Sequence, residues 1–88
     1  MSKSIHTPEQ KQLELLLRQV RQEAGLTQGA LAQLLNRPQT FVSKYELGER
    51  RLDVLQLRQI CRAVGLTLEE FVRRLEVALR NQGLAGRP

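Results

Sequence analysis

Hydrophobic residues recur along this 88-residue chain at helical spacing, in five stretches separated by short polar or glycine-containing segments. Within a stretch they fall at separations such as i, i+3, i+4 and i+7, which places them on one face of an α-helix. The five sets are Leu13, Leu16, Leu17, Val20 and Ala24; Leu31, Ala32 and Leu35; Phe41, Val42 and Tyr45; Val54, Leu57, Ile60, Cys61 and Val64; and Leu68, Phe71, Val72, Leu75 and Leu79. No segment has the alternation of a strand. The pattern predicts an all-α domain of five helices.

Capping residues mark where these helices begin and end. Thr7 precedes Pro8 and opens the first helix, and Thr27 opens the second. Thr7, Asp53 and Thr67 are each followed three residues later by Gln or Glu, which predicts capping boxes for the first, fourth and fifth helices. Glycines suited to helix C-termini lie at Gly25, Gly48 and Gly65, and the fifth helix fades before Gly83.

The second and third helices are short and close together. The second covers residues 28–35, and the third begins after Arg37-Pro38 and ends near Glu46. Asn36 lies between them and tolerates the left-handed conformation of a tight turn. Two helices of about two turns, joined by three residues, are typical of a helix-turn-helix. We expect one domain over residues 7–81, with a flexible arm before it at 1–6 and a frayed tail after it at 82–88.

The outward face of the third helix has an unusual composition. Gln39, Thr40, Ser43 and Lys44 fall on the side opposite the apolar set, and none of them is acidic. Gln can read adenine, Lys can donate to guanine, and Ser or Thr adapt to either. An ordinary solvated face would explain the polarity but not the missing carboxylates. We therefore predict that these four residues read DNA bases.

The charge balance supports the same partner. The chain carries 14 Lys and Arg against 9 Asp and Glu, a formal charge of +5, and its sequence pI is about 10.4. Such a balance in a small domain favours a nucleic-acid partner. Arg50 and Arg51 follow the third helix directly, where we expect them to contact the DNA backbone.

The residue content gives little support for other chemistry. The chain has one His and one Cys, on different elements, without an acid placed to orient either. We expect no enzymatic activity, no metal, no cofactor and no small-molecule ligand. Cys61 is predicted to pack as a small apolar residue, and His6 to be a solvated residue of the arm. No apolar run reaches membrane-spanning length and no signal peptide is apparent, so we expect a cytoplasmic, nucleoid-associated protein of bacterial or phage origin.

One stretch, residues 24–71, resembles the phage-repressor and Cro-type helix-turn-helix regulators of the XRE family. The shared elements are Gly25-Leu26-Thr27-Gln28, Leu31-Ala32, Val42-Ser43, Glu46, Gly48, Arg50 and Leu57-x-x-Ile60. The resemblance implies a five-helix, repressor-like DNA-binding domain whose second and third helices form the motif. The sequence departs from the family pattern at Asn36, where glycine is common, at Leu52, where proline is frequent, and at Cys61, where alanine is usual.

The resemblance also implies roles for individual residues. Gln39, Thr40 and Lys44 match base-reading positions, with Ser43 able to reach a base or a phosphate. Contacts to the DNA backbone are expected from Thr27, Gln28, Arg37, Arg50 and Arg51. Arg21 and Glu46 match a buried ion pair between the first helix and the motif. Phe41 is larger than usual at its position, and we favour packing over Pro38 to contact with a thymine methyl.

These features predict a sequence-specific transcriptional regulator of double-stranded DNA, most simply a stand-alone repressor. One reading helix covers too few base pairs to select a site, so we expect a homodimer on an inverted-repeat operator. The fifth helix continues beyond the length needed to cover the core, which suggests an interface at Leu75, Val77 and Leu79. An antitoxin or a restriction-modification controller would use the same fold. A helical adaptor that binds protein is an alternative of a different class.

Overall fold

A computed structural model of the chain describes residues 7–84. That part of the chain is all-α and contains five helices. They are α1 (Pro8–Glu23), α2 (Gln28–Leu35), α3 (Gln39–Glu46), α4 (Val54–Ala63) and α5 (Leu68–Asn81). The predicted fold class and helix order are confirmed. His6 and the rest of the predicted arm, together with residues 85–88, lie outside the described residues.

Side-chain caps fix the starts of four helices at the predicted residues. The Thr7 and Thr27 hydroxyl oxygens each accept a 3.0 Å hydrogen bond from the backbone N–H three residues later. Of the capping box predicted at Thr7, the described residues form this bond alone. Asp53 forms a reciprocal capping box, in which its carboxylate accepts from the Gln56 N–H at 2.7 Å and the Gln56 side-chain oxygen accepts from the Asp53 N–H at 3.0 Å. Thr67 does the same with Glu70. Because these signals are local, the sequence alone predicts them well.

The turn between α2 and α3 has the conformation predicted for it. Asn36 has φ 58° and ψ 46°, in the left-handed region that Asn tolerates without glycine. The Arg37 N–H then donates to the Ala32 carbonyl at 2.9 Å, which closes the C-terminus of α2. This tight turn fixes the direction in which α3 leaves α2.

The core lies between all five helices, and α3 packs on α2 and α1. Three side chains of α3, Phe41, Val42 and Tyr45, are buried in it. The other members are Leu16, Leu17, Val20, Leu31, Ala32, Ile60, Cys61 and Phe71, surrounded by half-buried leucines. One face of α3 is thereby fixed in the core and the opposite face points to solvent.

A buried carboxylate on α1 lies where sequence patterning predicts no core position. Glu14 is only 6% exposed, and its carboxylate lies against Gly48, at the end of α3. Gly48 has φ +80°, and a Cβ added there would lie 2.6 Å from Glu14 Oε2. A side chain at this position would therefore be strained and would also displace Glu14. Gly48 both ends α3 and makes room for α1.

Three apolar residues predicted to face the core are exposed. Ala24 follows the last residue of α1 and Val54 is the first residue of α4, so both lie beyond the packed turns of their helices. Val54 is 66% exposed and Val72, at the edge of the α5 stripe, is 42% exposed. Periodicity gives the direction of a helix face but not where its packing stops.

The end of α5 also differs from expectation. Leu79, which the length of α5 predicts to lie past the core, is buried at 9% exposure. Gly83 has φ 72°, and the Leu84 N–H donates to the Leu79 carbonyl at 2.7 Å. Residues 82–84, the described part of the predicted frayed tail, thus form a capping turn.

An ion pair joins the middle of α5 to the end of α1. Both Arg74 terminal nitrogens donate to the Glu23 carboxylate at 2.9 Å, and this interaction lowers the pKa of Glu23. The pair is largely exposed, so its contribution to stability is small. Among residues 7–84, every helix is too short or too polar to cross a membrane.

Candidate nucleic-acid interface

The outward face of α3 presents four polar side chains to solvent. Gln39, Thr40 and Lys44 are exposed, and Ser43 is half-buried. Phe41, Val42 and Tyr45 hold the opposite face in the core. The eight residues of α3 span about 12 Å at 1.5 Å per residue, similar to the width of a DNA major groove. The face offers donors and acceptors along its whole length and no carboxylate.

A buried ion pair holds α3 against α1. Arg21 Nε donates to Glu46 Oε2 at 2.7 Å, and its Nη2 donates to Glu46 Oε1 at 3.1 Å. The Arg21 and Glu46 side chains are 9% and 4% exposed. Arg21 Nη1 also donates to the Leu26 carbonyl at 2.9 Å, and hydrogen bonding to Glu46 raises the pKa of Arg21. This pair joins α1, the loop before α2 and the end of α3.

A chain of hydrogen bonds continues from this pair to the outward face. Gln28 Nε2 donates to Glu46 Oε1 at 3.1 Å, and Gln28 Oε1 accepts from Gln39 Nε2 at 3.5 Å. Because a carboxylate only accepts, Glu46 requires the amide nitrogen of Gln28 to point toward it. The Gln28 oxygen must then face Gln39. The orientation of the outward Gln39 amide is thus linked to a buried charge.

The ring of Phe41 lies beneath two arginines, Arg37 in the turn before α3 and Arg50 in the turn after it. The guanidinium carbons of Arg37 and Arg50 are 4.2 and 5.0 Å from the centroid of its ring. Tyr45 meets the same ring edge-on, with centroids 5.4 Å apart and planes at 76°. Phe41 is 6% exposed, so it packs inside the protein and does not offer its ring to a base. Packing was the preferred expectation, although the arginines were not foreseen as its partners.

Comparison with known proteins agrees with this geometry. A family model described as a helix-turn-helix domain matches residues 12–73. An XRE-family like protein from Pseudomonas syringae pv. tomato str. DC3000 is 43% identical, with a TM-score of 0.76, over 84% of this chain and 90% of that one. The chain belongs to the XRE family of helix-turn-helix regulators. It is therefore an all-α, DNA-binding regulator of XRE type.

Two further solved structures share the fold of this XRE-type regulator at lower identity. They are two crystal structures of the clp gene regulator ClgR from Corynebacterium glutamicum, each 21% identical. One has a TM-score of 0.76 over 88% of this chain and 82% of that one, and the other 0.72 over 86% and 97%. No curated protein matches the sequence. The XRE family is a DNA-binding regulator fold and is typically non-enzymatic.

Two reactive side chains of this XRE-type regulator are buried in the core. Burial raises the pKa of the Cys61 thiol to about 11, so it is neutral at physiological pH. Burial also raises the pKa of Tyr45, whose hydroxyl has no hydrogen-bond partner in residues 7–84. Within that range no group of His, Cys, Asp and Glu side chains could hold a metal ion.

The structure brings most of the predicted site residues together around α2 and α3. Thr27 caps α2, and Gln28 lies next to Glu46 and Gln39. Arg37 and Arg50 meet at Phe41, and the exposed Arg51 directly follows Arg50. The predicted interface residues Leu75, Val77 and Leu79 lie apart from these, on α5, which packs on α1 and α4.

Sequence reasoning missed two arrangements in this region. It did not foresee the link from Glu46 through Gln28 to Gln39, or the stacking of Arg37 and Arg50 on Phe41. The large ring of Phe41, and its position four residues after Arg37, were the only signals of the second arrangement. Arg37 lies in the turn just before α3 and is close to Phe41 in sequence, but nothing local indicates that Arg50 joins them.

Proposed function

We propose that this XRE-type regulator is a transcriptional repressor that binds an inverted-repeat operator as a homodimer. The observation that carries the proposal is the outward face of α3, which is polar, free of acidic residues and linked to a buried ion pair. Such a face suits base edges, and its linkage keeps its geometry from changing on binding. The proposed binding unit is residues 7–81.

Base reading in this account belongs to Gln39, Thr40, Ser43 and Lys44. An α-helix of this length fits the major groove with its outward face toward the base edges. Gln39 can pair with adenine through its amide, and Lys44 can donate to guanine O6 or N7. The hydroxyls of Thr40 and Ser43 serve as donors or acceptors. Support for these assignments comes from the exposure of Gln39, Thr40 and Lys44 and the partial exposure of Ser43.

Backbone contacts in this account come from residues around the ends of α2 and α3. Thr27 and Gln28 lie at the start of α2, where the helix dipole favours a phosphate. The Thr27 hydroxyl oxygen accepts the capping bond, so its proton remains available to a phosphate oxygen. Arg37, Arg50 and Arg51 supply positive charge beside the reading helix. These contacts provide affinity that does not depend on base sequence.

Dimerisation is proposed on the need for a longer site. Two reading helices about 34 Å apart would contact successive major grooves on one side of the duplex. On α5, Val77 is 44% exposed, Leu75 is half-buried and Leu79 is covered by the chain itself. Val77 is therefore the residue of this set most available to a second copy.

Repression follows from occupancy, because a dimer covering a promoter blocks polymerase without further machinery. An antitoxin or a restriction-modification controller would use the same DNA contacts, so the gene neighbourhood distinguishes these roles. A protein-binding adaptor would need an apolar groove at the reading face. The four polar side chains on α3 favour DNA over such a partner.

Selection of bound duplexes from a random pool tests this function. We expect enrichment of an inverted repeat whose half-sites are centred about one helical turn, 10–10.5 base pairs, apart. As a control, the same selection with a variant carrying Gln39→Ala and Lys44→Ala should enrich no sequence. A single half-site in the wild-type pool would contradict the homodimer, and an unenriched wild-type pool would contradict sequence-specific binding altogether.

A further inference from the structure

The cluster formed by Phe41, Arg37 and Arg50 has features that core packing alone does not explain. Two guanidinium groups cover one phenyl ring, at 4.2 and 5.0 Å from its centroid, and the ring is only 6% exposed. The Tyr45 ring makes the third contact with Phe41, edge-on and from the core side. Phe41 therefore connects the core to two cations at the interface.

No described carboxylate holds either arginine of the cluster. The ion pairs between described residues are Arg21 with Glu46 and Arg74 with Glu23. Arg50 Nε is buried and has no hydrogen-bond acceptor among residues 7–84. In that part of the chain, the ring of Phe41 is thus the group that orders both guanidinium groups.

An aromatic ring orders an arginine without cancelling its charge. A carboxylate partner would also fix the side chain, but it would neutralise the cation and compete with any incoming anion. A ring attracts the cation through its quadrupole and leaves the hydrogen-bond donors at the edge of the guanidinium free for a second partner. The cluster therefore suits two arginines that are ordered and still able to bind phosphates.

We propose that Phe41 is a positioning residue, which orders the guanidinium groups of Arg37 and Arg50 for two backbone phosphates of bound DNA. Phe41 itself touches no DNA. The inference rests on the proposed function, because it needs a bound duplex. Its benefit is entropic, since two long side chains that are already ordered lose less freedom when they bind.

A double-mutant cycle tests this role. Phe41→Leu keeps an apolar residue in the core but removes the ring, and we expect it to weaken binding to the selected duplex and to a scrambled duplex by the same factor, about tenfold. In a background of Arg37→Gln and Arg50→Gln, the same change should cost less than about twofold, because the groups it orders are gone.

The salt dependence separates ordering from charge. Phe41→Leu keeps both cations, so the slope of log K against log salt concentration should stay at the wild-type value. Arg37→Gln with Arg50→Gln removes two phosphate contacts and should reduce that slope by about 2. Arg62 lies on the exposed side of α4, so Arg62→Gln is the control for loss of one arginine and should leave the salt slope unchanged.

Two variants separate positioning from loss of stability. Phe41→Tyr keeps a ring and should restore wild-type affinity. Ile60→Val destabilises the core without touching the cluster, so its affinity should match the wild type wherever circular dichroism shows a folded protein. An equal loss of affinity from Ile60→Val, or an undiminished loss from Phe41→Leu in the arginine-free background, would overturn the positioning role.

A measurement without DNA keeps this inference separate from the proposed function. Protons above an aromatic ring shift upfield, so Arg37 and Arg50 side-chain signals should be shifted in the wild type and should return to ordinary positions in Phe41→Leu. Absence of these shifts would overturn the cluster itself. If the wild type shows these chemical shifts but has no affinity for duplex DNA, the cluster exists and the proposed function is wrong. The role of Phe41 toward DNA phosphates would then be excluded as well.

Discussion

Lys44 and the arginines that follow α3 carry the same charge but occupy different parts of the proposed interface. Lys44 is exposed near the middle of the outward face, where a bound duplex would present base edges. Arg50 lies over Phe41, beyond the end of α3, where a duplex would present phosphates. We expect loss of either cation to weaken binding, and only loss of Lys44 to change which DNA sequence is preferred.

Lys44→Ala is expected to cost about 1–3 kcal/mol on the selected duplex and much less on a scrambled duplex. The reason is that the lost donor contacts a base whose identity differs between the two. Titration of both duplexes at one salt concentration measures the difference. Lys11 is an exposed residue of α1, so Lys11→Ala removes the same charge and should affect binding of both duplexes alike. Equal losses from Lys44→Ala would exclude Lys44 from base reading.

The Tyr45 ring anchors α3 in the core, but its buried hydroxyl destabilises the fold. The side chain is 1% exposed, and the hydroxyl has no hydrogen-bond partner in residues 7–84. Tyr45→Phe should therefore raise the free energy of unfolding by about 1 kcal/mol. Tyr45→Leu, which removes the ring, should lower it by about 1–3 kcal/mol. Urea denaturation measures both, and a less stable Tyr45→Phe would mean that the hydroxyl is satisfied.

At the scale of the helices, the ion pair between Arg21 and Glu46 fixes how α3 is presented. It joins α1 to α3, and Gln28 extends it from α2 toward Gln39 on the outward face. Arg21 belongs to α1, Gln28 to α2 and Glu46 to α3. The orientation of α3 therefore depends on contacts with both α1 and α2.

Glu46→Ala should destabilise the fold by about 3–5 kcal/mol, because it leaves the buried Arg21 charge without its partner. Glu49→Ala is the matched control, since its carboxylate is exposed in the following turn, and its effect should stay within about 0.5 kcal/mol. Thermal melting followed by circular dichroism compares the two. Similar melting temperatures would show that the pair contributes nothing to the fold.

How far the sequence predicts these elements depends on how local each signal is. The caps at Thr27 and Thr67, and the left-handed Asn36, depend on residues a few positions apart, and the structure confirms all of them. Glu14 was unpredictable as a buried residue, because its contact with Gly48 spans 34 positions of the chain (48 − 14). Helical periodicity contains no information about such a contact.

The same reasoning applies to the candidate site. Polarity and spacing predict the outward face of α3, since one helix determines it. The Arg21 and Glu46 pair followed only from the family resemblance. Phe41 beneath Arg37 and Arg50 needed the structure, because the turn after α3 brings Arg50 back over the start of the same helix.

At the scale of the whole molecule, the proposed dimer places its interface on α5. Leu79 is covered by residues of its own chain, so a charge there would disturb the fold and report nothing about association. Val77 is 44% exposed on the same helix and tests the surface without this complication. The structure thereby changes which residue gives the informative variant.

Val77→Glu is expected to shift the protein from dimer to monomer at about 10⁻⁵ M, a concentration that corresponds to about 7 kcal/mol of association free energy. A charge on each copy would be buried against the other, which is unfavourable. Val54, on α4, is also exposed, so Val54→Glu is the matched control and should stay dimeric. Sedimentation velocity with and without the selected duplex distinguishes them. A dimeric Val77→Glu would move the interface elsewhere, to the exposed Leu15 of α1 next.

The central claim is that this molecule distinguishes DNA sequences, and a competition titration over a range of salt concentrations tests it most directly. We expect the selected duplex to bind at least about 10³-fold more tightly than a scrambled duplex of equal length. Affinity for both should fall steeply as salt rises, because cations of the interface replace counterions on the phosphates. Equal affinities for the two duplexes, or binding insensitive to salt, would contradict the account.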